Sequence, residues 1–377
     1  MTTRTRCHRV VSFHQTSHKF DNYMTKKHTP IAEIGEFGLI ERIKKKCNEA
    51  RLSDKIAKQI ILGIDDDASI TEPSTGMMQL TASDLLIEGV HFDLTYTSMK
   101  HLGWKLMVVN LSDIAAMGGV PTHAIISIAL PAKISVEMVD ELYDGILQAA
   151  QTYTCAIIGG DTSTSLGNTV LSATITGEAP VQFIKRRNGA KPGDKICVTG
   201  NLGLSHAGLK ILLREKQRFI ETQAPEGFQS QLQKYSFAVS KHLAPKARFD
   251  ISTITSQKEW VHAMIDISDG LVSDVRHVCK QSGVGALLYE NAIPLDPLVG
   301  SIAEEFNENA LDYALFGGEE FELLFTIDSE YEQEISDTIP GVTVIGEINE
   351  DKETVSLQQT DGTIRNILSG GYEHFKK

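Results

Sequence analysis

Cysteine is scarce in this chain, with five residues at 7, 47, 155, 197 and 279 and no Cys-x-x-Cys pair among them. A disulfide framework and a zinc site are therefore excluded as organising devices, and inert thiols in a reducing cytoplasm are expected. No apolar run approaches the ~18 residues of a membrane span. Basic charge is in deficit: 36 Lys and Arg against 49 Asp and Glu give a net charge of −13. That balance argues against nucleic acid, whose phosphates need a basic face. A nucleotide stays open, because bound cations invert the local sign. Neither Gly-x-Gly-x-x-Gly nor Gly-x-x-x-x-Gly-Lys-Ser/Thr occurs, so any ATP is held by another device. No Gly-x-Ser-x-Gly elbow supports hydrolase chemistry.

What the chain does have is acid at the ends of apolar runs. Ile60–Ile64 runs into Asp65-Asp66-Asp67, Met77–Ala82 into Ser83-Asp84, Ala156–Ile158 into Gly159-Gly160-Asp161, and Ala263–Ile265 into Asp266-Ile267-Ser268-Asp269. Short apolar runs of this kind read as buried strands. Carboxylates at several strand ends, if they converge, need cations between them. Hard oxygen donors of this type suit Mg²⁺, held by a few carboxylates together with substrate phosphates. The pattern predicts a multi-Mg²⁺ site for a phosphorylated ligand. Asp65–Asp67 is not an EF-hand loop, since Ile70 and Gly76 stand where that loop needs Gly and Glu. Asp113 carries further weight, because it lies in the apolar helical run Trp104–Leu111 and shares a face with Asn110. Burying an unpaired carboxylate costs several kcal/mol, which a metal or a buried Arg or Lys would offset.

At 377 residues, with 41% hydrophobic and 23% charged content, two globular domains are expected. Residues 1–30 carry six Lys or Arg, one acid and four His without apolar periodicity. They read as a disordered tail, with a transit peptide as the other possibility. A first α+β unit, 31–187, is expected to hold helices near 36–50, 98–117 and 135–152 and strands near 60–64, 77–83, 122–130, 155–159 and 169–177. A second, 188–377, is expected to hold strands near 195–199, 262–266, 284–289, 320–327 and 342–347, alternating with helices. The two units would face a shared cleft.

In order along the chain, these strings resemble the thiamine-monophosphate kinases of the aminoimidazole ribonucleotide synthetase-like superfamily. The resemblance rests on Gly35-Glu36-Phe37, Asp66-Asp67-Ala68, Ser83-Asp84-Leu85, Gly89–Phe92, Asn110–Gly118, Gly159–Thr162, Arg187 with Gly189–Asp194, Ile265–Leu271, Gly317–Glu319 and Gly371–Phe375. It implies Mg²⁺ ligation by Asp67, Ser83, Asp84, Asp113, Asp161, Asp266 and Asp269, with Asp84, Asp113 and Asp161 central to catalysis. It implies ATP contacts from Gly160, Asp161, Arg187 and Ser268, and thiamine phosphate contacts from His91, Glu319 and Tyr372. A monovalent cation is left open. The implied fold pairs an N-terminal mixed sheet with helices, dimerising with its copy, with a C-terminal α/β sandwich-like domain. Two departures stand out: Asp65 where the family usually has Gly, and Ala82 where it commonly has Ser or Thr.

The implied reaction is transfer of a phosphoryl group from ATP to thiamine phosphate in the cytoplasm by a homodimer, with no nucleic acid or membrane partner. The alternatives are an aminoimidazole ribonucleotide or selenophosphate synthetase, or a non-catalytic nucleotide-binding protein on the same fold. Selenophosphate synthetases generally carry a reactive Cys or selenocysteine in an N-terminal glycine-rich loop. Here Cys7 is in the tail and Cys47 on a predicted helix.

Overall fold

Two sheets of different exposure organise the chain. The computed structural model describes residues 28–64, 68–222, 230–368 and 370–371. Helix α1 (Ile31–Glu49), interrupted at Gly35, and α2 (Asp54–Gln59) precede a two-stranded ribbon of β1 (Ile60–Leu62) and β2 (Ile70–Thr71). The first sheet takes β3 (Met78–Ile87), then, after helix α3 (Met99–Ala116), β4 (Val120–Leu130), helix α4 (Val136–Tyr153), β5 (Ala156–Thr164) and β6 (Val170–Ala179). Its strand order is β3-β6-β4-β5, so β3 and β5 are its edges.

Alternation along β3 explains why only one face of this sheet is covered. Leu80 and Leu86 are buried while Gln79, Thr81, Ser83 and Leu85 are exposed, the period of two expected of a strand with one wet face. Helix α3 lies on the covered face and meets both β3 and β6. It packs closely on α4 because Gly103 and Gly145 have no side chain. A Cβ at Gly103 would stand 2.0 Å from the Leu142 carbonyl oxygen, and one at Gly145 2.0 Å from that of Lys100.

The second sheet is covered on both faces. Its strands are β7 (Lys195–Thr199), β8 (Val261–Asp266), β9 (Gly285–Tyr289), β10 (Leu323–Ile327), β11 (Val342–Asn349), β12 (Val355–Gln358) and β13 (Ile364–Asn366), in the order β13-β12-β9-β11-β7-β10-β8. Ile196 and Val198 enter one core while Cys197 enters another; Ala263 and Ile265 divide from Met264 in the same way. A strand buried on both faces reads as a continuous apolar run rather than an alternating one. Helices α5 (Leu204–Glu221), α6 (Ser236–Leu243), α7 (Phe249–Thr255) and α8 (Leu271–Ser282) surround it, with Pro297–Phe306, Ala310–Phe316 and Glu332–Thr338 beyond.

The end of α3 joins the two halves. Ala116 sits in the core with Cys197, Met264 and Phe325, so α3 packs along the first sheet and terminates against the second. That placement carries Asp113, in its last turn, to the end of β8.

The strand expected at 320–327 starts only at Leu323, because Glu319 and Phe321 adopt left-handed φ values of 62° and 51°. Among the alternating helices, Pro297–Phe306 starts on its proline, where Asp296 accepts a capping bond from the Leu298 amide. Among described residues no helix is long and apolar enough to cross a membrane.

Candidate active site

Three carboxyl groups meet at the seam between the sheets, each from a different element. Asp84 comes from β3, on the same side as Leu80 and Leu86 and so facing α3. Asp113 comes from the last turn of α3 and Asp266 from the end of β8. Asp266 is 2% exposed and accepts a 2.7 Å hydrogen bond from the Ser112 hydroxyl, which ties α3 to β8 directly. Burial, the Asp266 charge and the Asp84 charge push Asp113 up to about 8, although Arg187 pulls the other way. Burial raises Asp266 to about 6, against the Ser112 hydrogen bond and the Arg187 charge. Burial and Asp269 raise Asp84. These groups lie close enough to oppose one another's ionisation, and Arg187 is the cation that acts on both Asp113 and Asp266.

The turn after β8 brings Ser268 and Asp269 to the same place. Both of its amides, from Ser268 and Asp269, donate to one oxygen of Asp274, at 3.1 and 3.3 Å. Asp274 is buried in the first turn of α8, and burial raises its carboxyl well above the ordinary range. Arg187 lies on an exposed segment whose course is fixed on both sides. The Met264 amide donates to the Arg186 carbonyl, and Ser282 Oγ accepts from the Gly189 and Ala190 amides.

Glu319 closes the other side of the seam. Its Oε1 lies 2.7 Å from the ammonium of Lys105, a side chain on α3 that is 2% exposed, and its Oε2 lies 3.3 Å from His242 Nδ1. Burial pushes the Glu319 carboxyl up, but Lys105 together with His242 and His91 outweighs it and the group rests below its usual range. His91, whose Nδ1 accepts from the Ile87 amide at 3.0 Å, also faces this carboxylate. The Glu319 loop is fastened to the Ser268 turn: Glu319 N–H donates to the Ser268 carbonyl at 2.7 Å and Phe321 N–H to the Ile267 carbonyl at 2.8 Å.

Within one chain, Asp84, Asp113, Asp266, Asp269 and Arg187 come together, and His91 comes to Glu319. Ser83 points to the open face of the sheet, where its hydroxyl pairs with Thr174 Oγ1 at 2.8 Å. Asp161 is exposed on β5 opposite Ser127, three inter-strand steps (roughly 14 Å) from β3. Gly160 is required there by close packing, since a Cβ would stand 2.1 Å from the Ile126 carbonyl oxygen. Asp67 and Tyr372 lie outside the described residues. The donors are carboxylate oxygens, which hard divalent cations take. Among described residues no three acids, His or Cys form a ready-made cage.

Lys105, Ser112, Asp274 and His242 went unremarked in the sequence. The signal for Lys105 was the one that singled out Asp113, a charge inside an apolar helical run.

Two family models match the chain: AIR synthase related protein, N-terminal domain, over residues 65–179, and AIR synthase related protein, C-terminal domain, over 191–358. A thiamine-monophosphate kinase of Aquifex aeolicus is 35% identical over 92% of this chain and 99% of its own length. That of Bacillus subtilis is 32% identical over 84% and 94%. The chain belongs to the thiamine-monophosphate kinase family. A crystal structure of thiamine-monophosphate kinase from Stenotrophomonas maltophilia K279a superposes with a TM-score of 0.71 at 30% identity, over 87% of this chain and 97% of that one. AaThiL complexed with AMPPCP and TMP superposes at 0.69 with 32% identity, over 93% and 100%. The α+β two-domain architecture is that of this kinase family.

Proposed function

We propose that this chain phosphorylates thiamine phosphate to thiamine diphosphate by direct transfer from ATP. The observation that carries the reading is the convergence of Asp84, Asp113 and Asp266 on one seam with too little protein cation to balance them. The donor set fits Mg²⁺, and Asp84, Asp113, Asp266 and Asp269 would hold it, with Asp67 as a further ligand; the Ser83 hydroxyl, turned to the open face, is not among them. When bound, Mg²⁺ supplies neutralisation of phosphate charge.

The remaining work is positioning. The attacking oxygen belongs to a phosphate whose second pKa is near ~6, so it is ionised without a strong general base. Phosphoryl transfer passes through a loose transition state, and holding two anions in line is the main task. Arg187 presents a guanidinium to ATP phosphates beside the acids, and Ser268 offers its hydroxyl on a turn held by Asp274. His91 and Glu319 receive the thiamine end, with Tyr372 as an aromatic face.

The homodimer belongs to the same reading. The open face of the first sheet exposes Leu85, Val120 and Ile125, and both edges, β3 and β5, are unpaired among described residues. A twofold pairing of β3 on one copy with β5 on the other would bring Asp161 of one chain beside β3 of the other, which one chain alone leaves apart. Free, buried Cys47, Cys155, Cys197 and Cys279 support a reducing, cytoplasmic setting.

The test is ADP release from ATP with and without thiamine phosphate, in the presence of Mg²⁺. Release that depends on thiamine phosphate, with thiamine diphosphate as product, is the expected result. Release indifferent to thiamine phosphate would sink the reading.

A further inference from the structure

Lys105 is among the largest fully buried side chains of the described residues, yet it is charged, and it projects from a largely apolar helix. Its partner is Glu319, on the opposite side of the seam, in a loop whose backbone is held left-handed at Glu319 and at Phe321. Left-handed φ at non-glycine residues costs about 1–3 kcal/mol each and persists only where the surroundings impose it. Here the imposition is visible: two backbone hydrogen bonds to residues 267 and 268 set the loop, and Lys105 sets the carboxylate.

A buried lysine paired to a partly exposed acid is more than a fastening. The Glu319 side chain keeps 29% of its surface open. One oxygen faces Lys105 and the other faces His242, which itself sits 3.2 Å from Ser205 Oγ. Each carboxylate oxygen accepts two hydrogen bonds, so acceptor capacity remains on the open side. The charged and titratable groups around it are Lys105 on α3, His242 on α6, and His91 and Tyr96 on the segment between β3 and α3. Burial and Lys105 together hold His242 down to about 3, so it is neutral and orients without adding charge. Lys105 is the cation that keeps the acid ionised.

We infer that Lys105, with His242 beside it, is a positioning residue: it holds Glu319 as an oriented anion that recognises the cationic, amine-bearing rings of thiamine phosphate, without touching them itself. The inference rests on the reading of Glu319 as a thiamine phosphate contact. It explains why a charge is kept on α3 eight residues before Asp113, where a leucine would bury more cheaply. Lys105 thus serves the thiamine end of the seam while Asp113 serves the phosphate end.

The experiment is calorimetric titration of thiamine phosphate and, separately, AMPPCP into the full chain with Mg²⁺, for wild type, Glu319→Gln, Lys105→Met and the double variant. Glu319→Gln is expected to weaken thiamine phosphate about tenfold or more, the worth of a charged hydrogen bond, and AMPPCP by less than about twofold. Lys105→Met is expected to do the same. Its loss should shrink between pH 6.5 and 9, as the now unpaired Glu319 ionises again, a trend that loss of a merely structural contact does not produce. The double variant, with the pair removed whole, is expected to fold and to bind thiamine phosphate no more weakly than Glu319→Gln alone. That comparison stands even if Lys105→Met by itself is unstable. A further tenfold loss on adding Lys105→Met to Glu319→Gln, an unaltered affinity in Lys105→Met, or an equal loss for AMPPCP each overturn the inference while leaving the reading of Glu319 intact. Full affinity in Glu319→Gln removes that reading, and the inference with it.

Discussion

Two groups of buried acids lie within this fold, and they are handled in opposite ways. Glu322, 4% exposed, has Lys241, Arg248 and the Thr199 hydroxyl as partners, and Glu319 has Lys105. Asp113 and Asp266 share the guanidinium of Arg187, and burial with neighbouring acids raises both of them and Asp84 instead. Acids with a lysine or arginine beside them are neutralised by the chain itself, whereas the three acids at the seam are left for a ligand to neutralise. An unbalanced buried charge costs stability, and it is tolerated where an incoming cation gains from it.

The contrast can be broken at either group. The largest effect is expected from Asp84→Asn or Asp113→Asn. Each should cut turnover by about 100-fold or more, the scale of losing a group that stabilises transferring charge. Folding should survive, and the midpoint of thermal unfolding without Mg²⁺ should hold or rise as repulsion is relieved. Unchanged ADP release in both variants would remove these carboxyls from the mechanism.

On the balanced side, Arg248→Met leaves Glu322 short of one cation and should cost about 3 kcal/mol of stability, the scale of breaking a buried pair. Denaturant titration should register it, with turnover per folded molecule little altered. A smaller signal sharpens the arrangement of the acids across copies. Asp84→Asn and Asp161→Asn chains, each inactive alone, should regain roughly a quarter of wild-type turnover when unfolded and refolded together, if one of two sites in a mixed dimer is whole. No recovery would place Asp161 in the same chain's site or outside it.

The smallest effect concerns pH. The folded protein holds protons on Asp113 and Asp266 that the unfolded chain releases, their carboxyls standing near 8 and 6. Metal-free stability should therefore decline as pH rises from about 4 toward 8. Binding a divalent cation expels those protons, so the rise in melting temperature with Mg²⁺ should be larger at pH 8 than at pH 6. A rise independent of pH would mean that the cation binds elsewhere.

How much of this was legible in the sequence follows from the same physics. Strands β7, β8 and β10 were visible because burial on both faces leaves uninterrupted apolar runs, and Asp266, which ends β8, stood out by contrast. Asp113 was visible because a charge interrupts an apolar helix. Lys105 carried an equal signal, but it has meaning only beside Glu319, more than two hundred residues away. Short helices at Ser236–Leu243, Phe249–Thr255 and Ala310–Phe316 are too brief to set up a period. The left-handed turns at Glu319 and Phe321 could not be foreseen, since neither is glycine and only the bonds to residues 267 and 268 hold them. The separation of Asp161 from Asp84 depends on strand order, which local pattern does not encode.

Those bonds to residues 267 and 268 have one more outcome. The turn bearing Asp266, Ser268 and Asp269 and the loop bearing Glu319 are stitched into one piece, so neither shifts without the other. On the proposed function, a nucleotide settling against the first piece would be felt at the second, and linkage would make the influence mutual. The two substrates of such an enzyme would not bind as strangers: the arrival of either would alter the welcome given to the other.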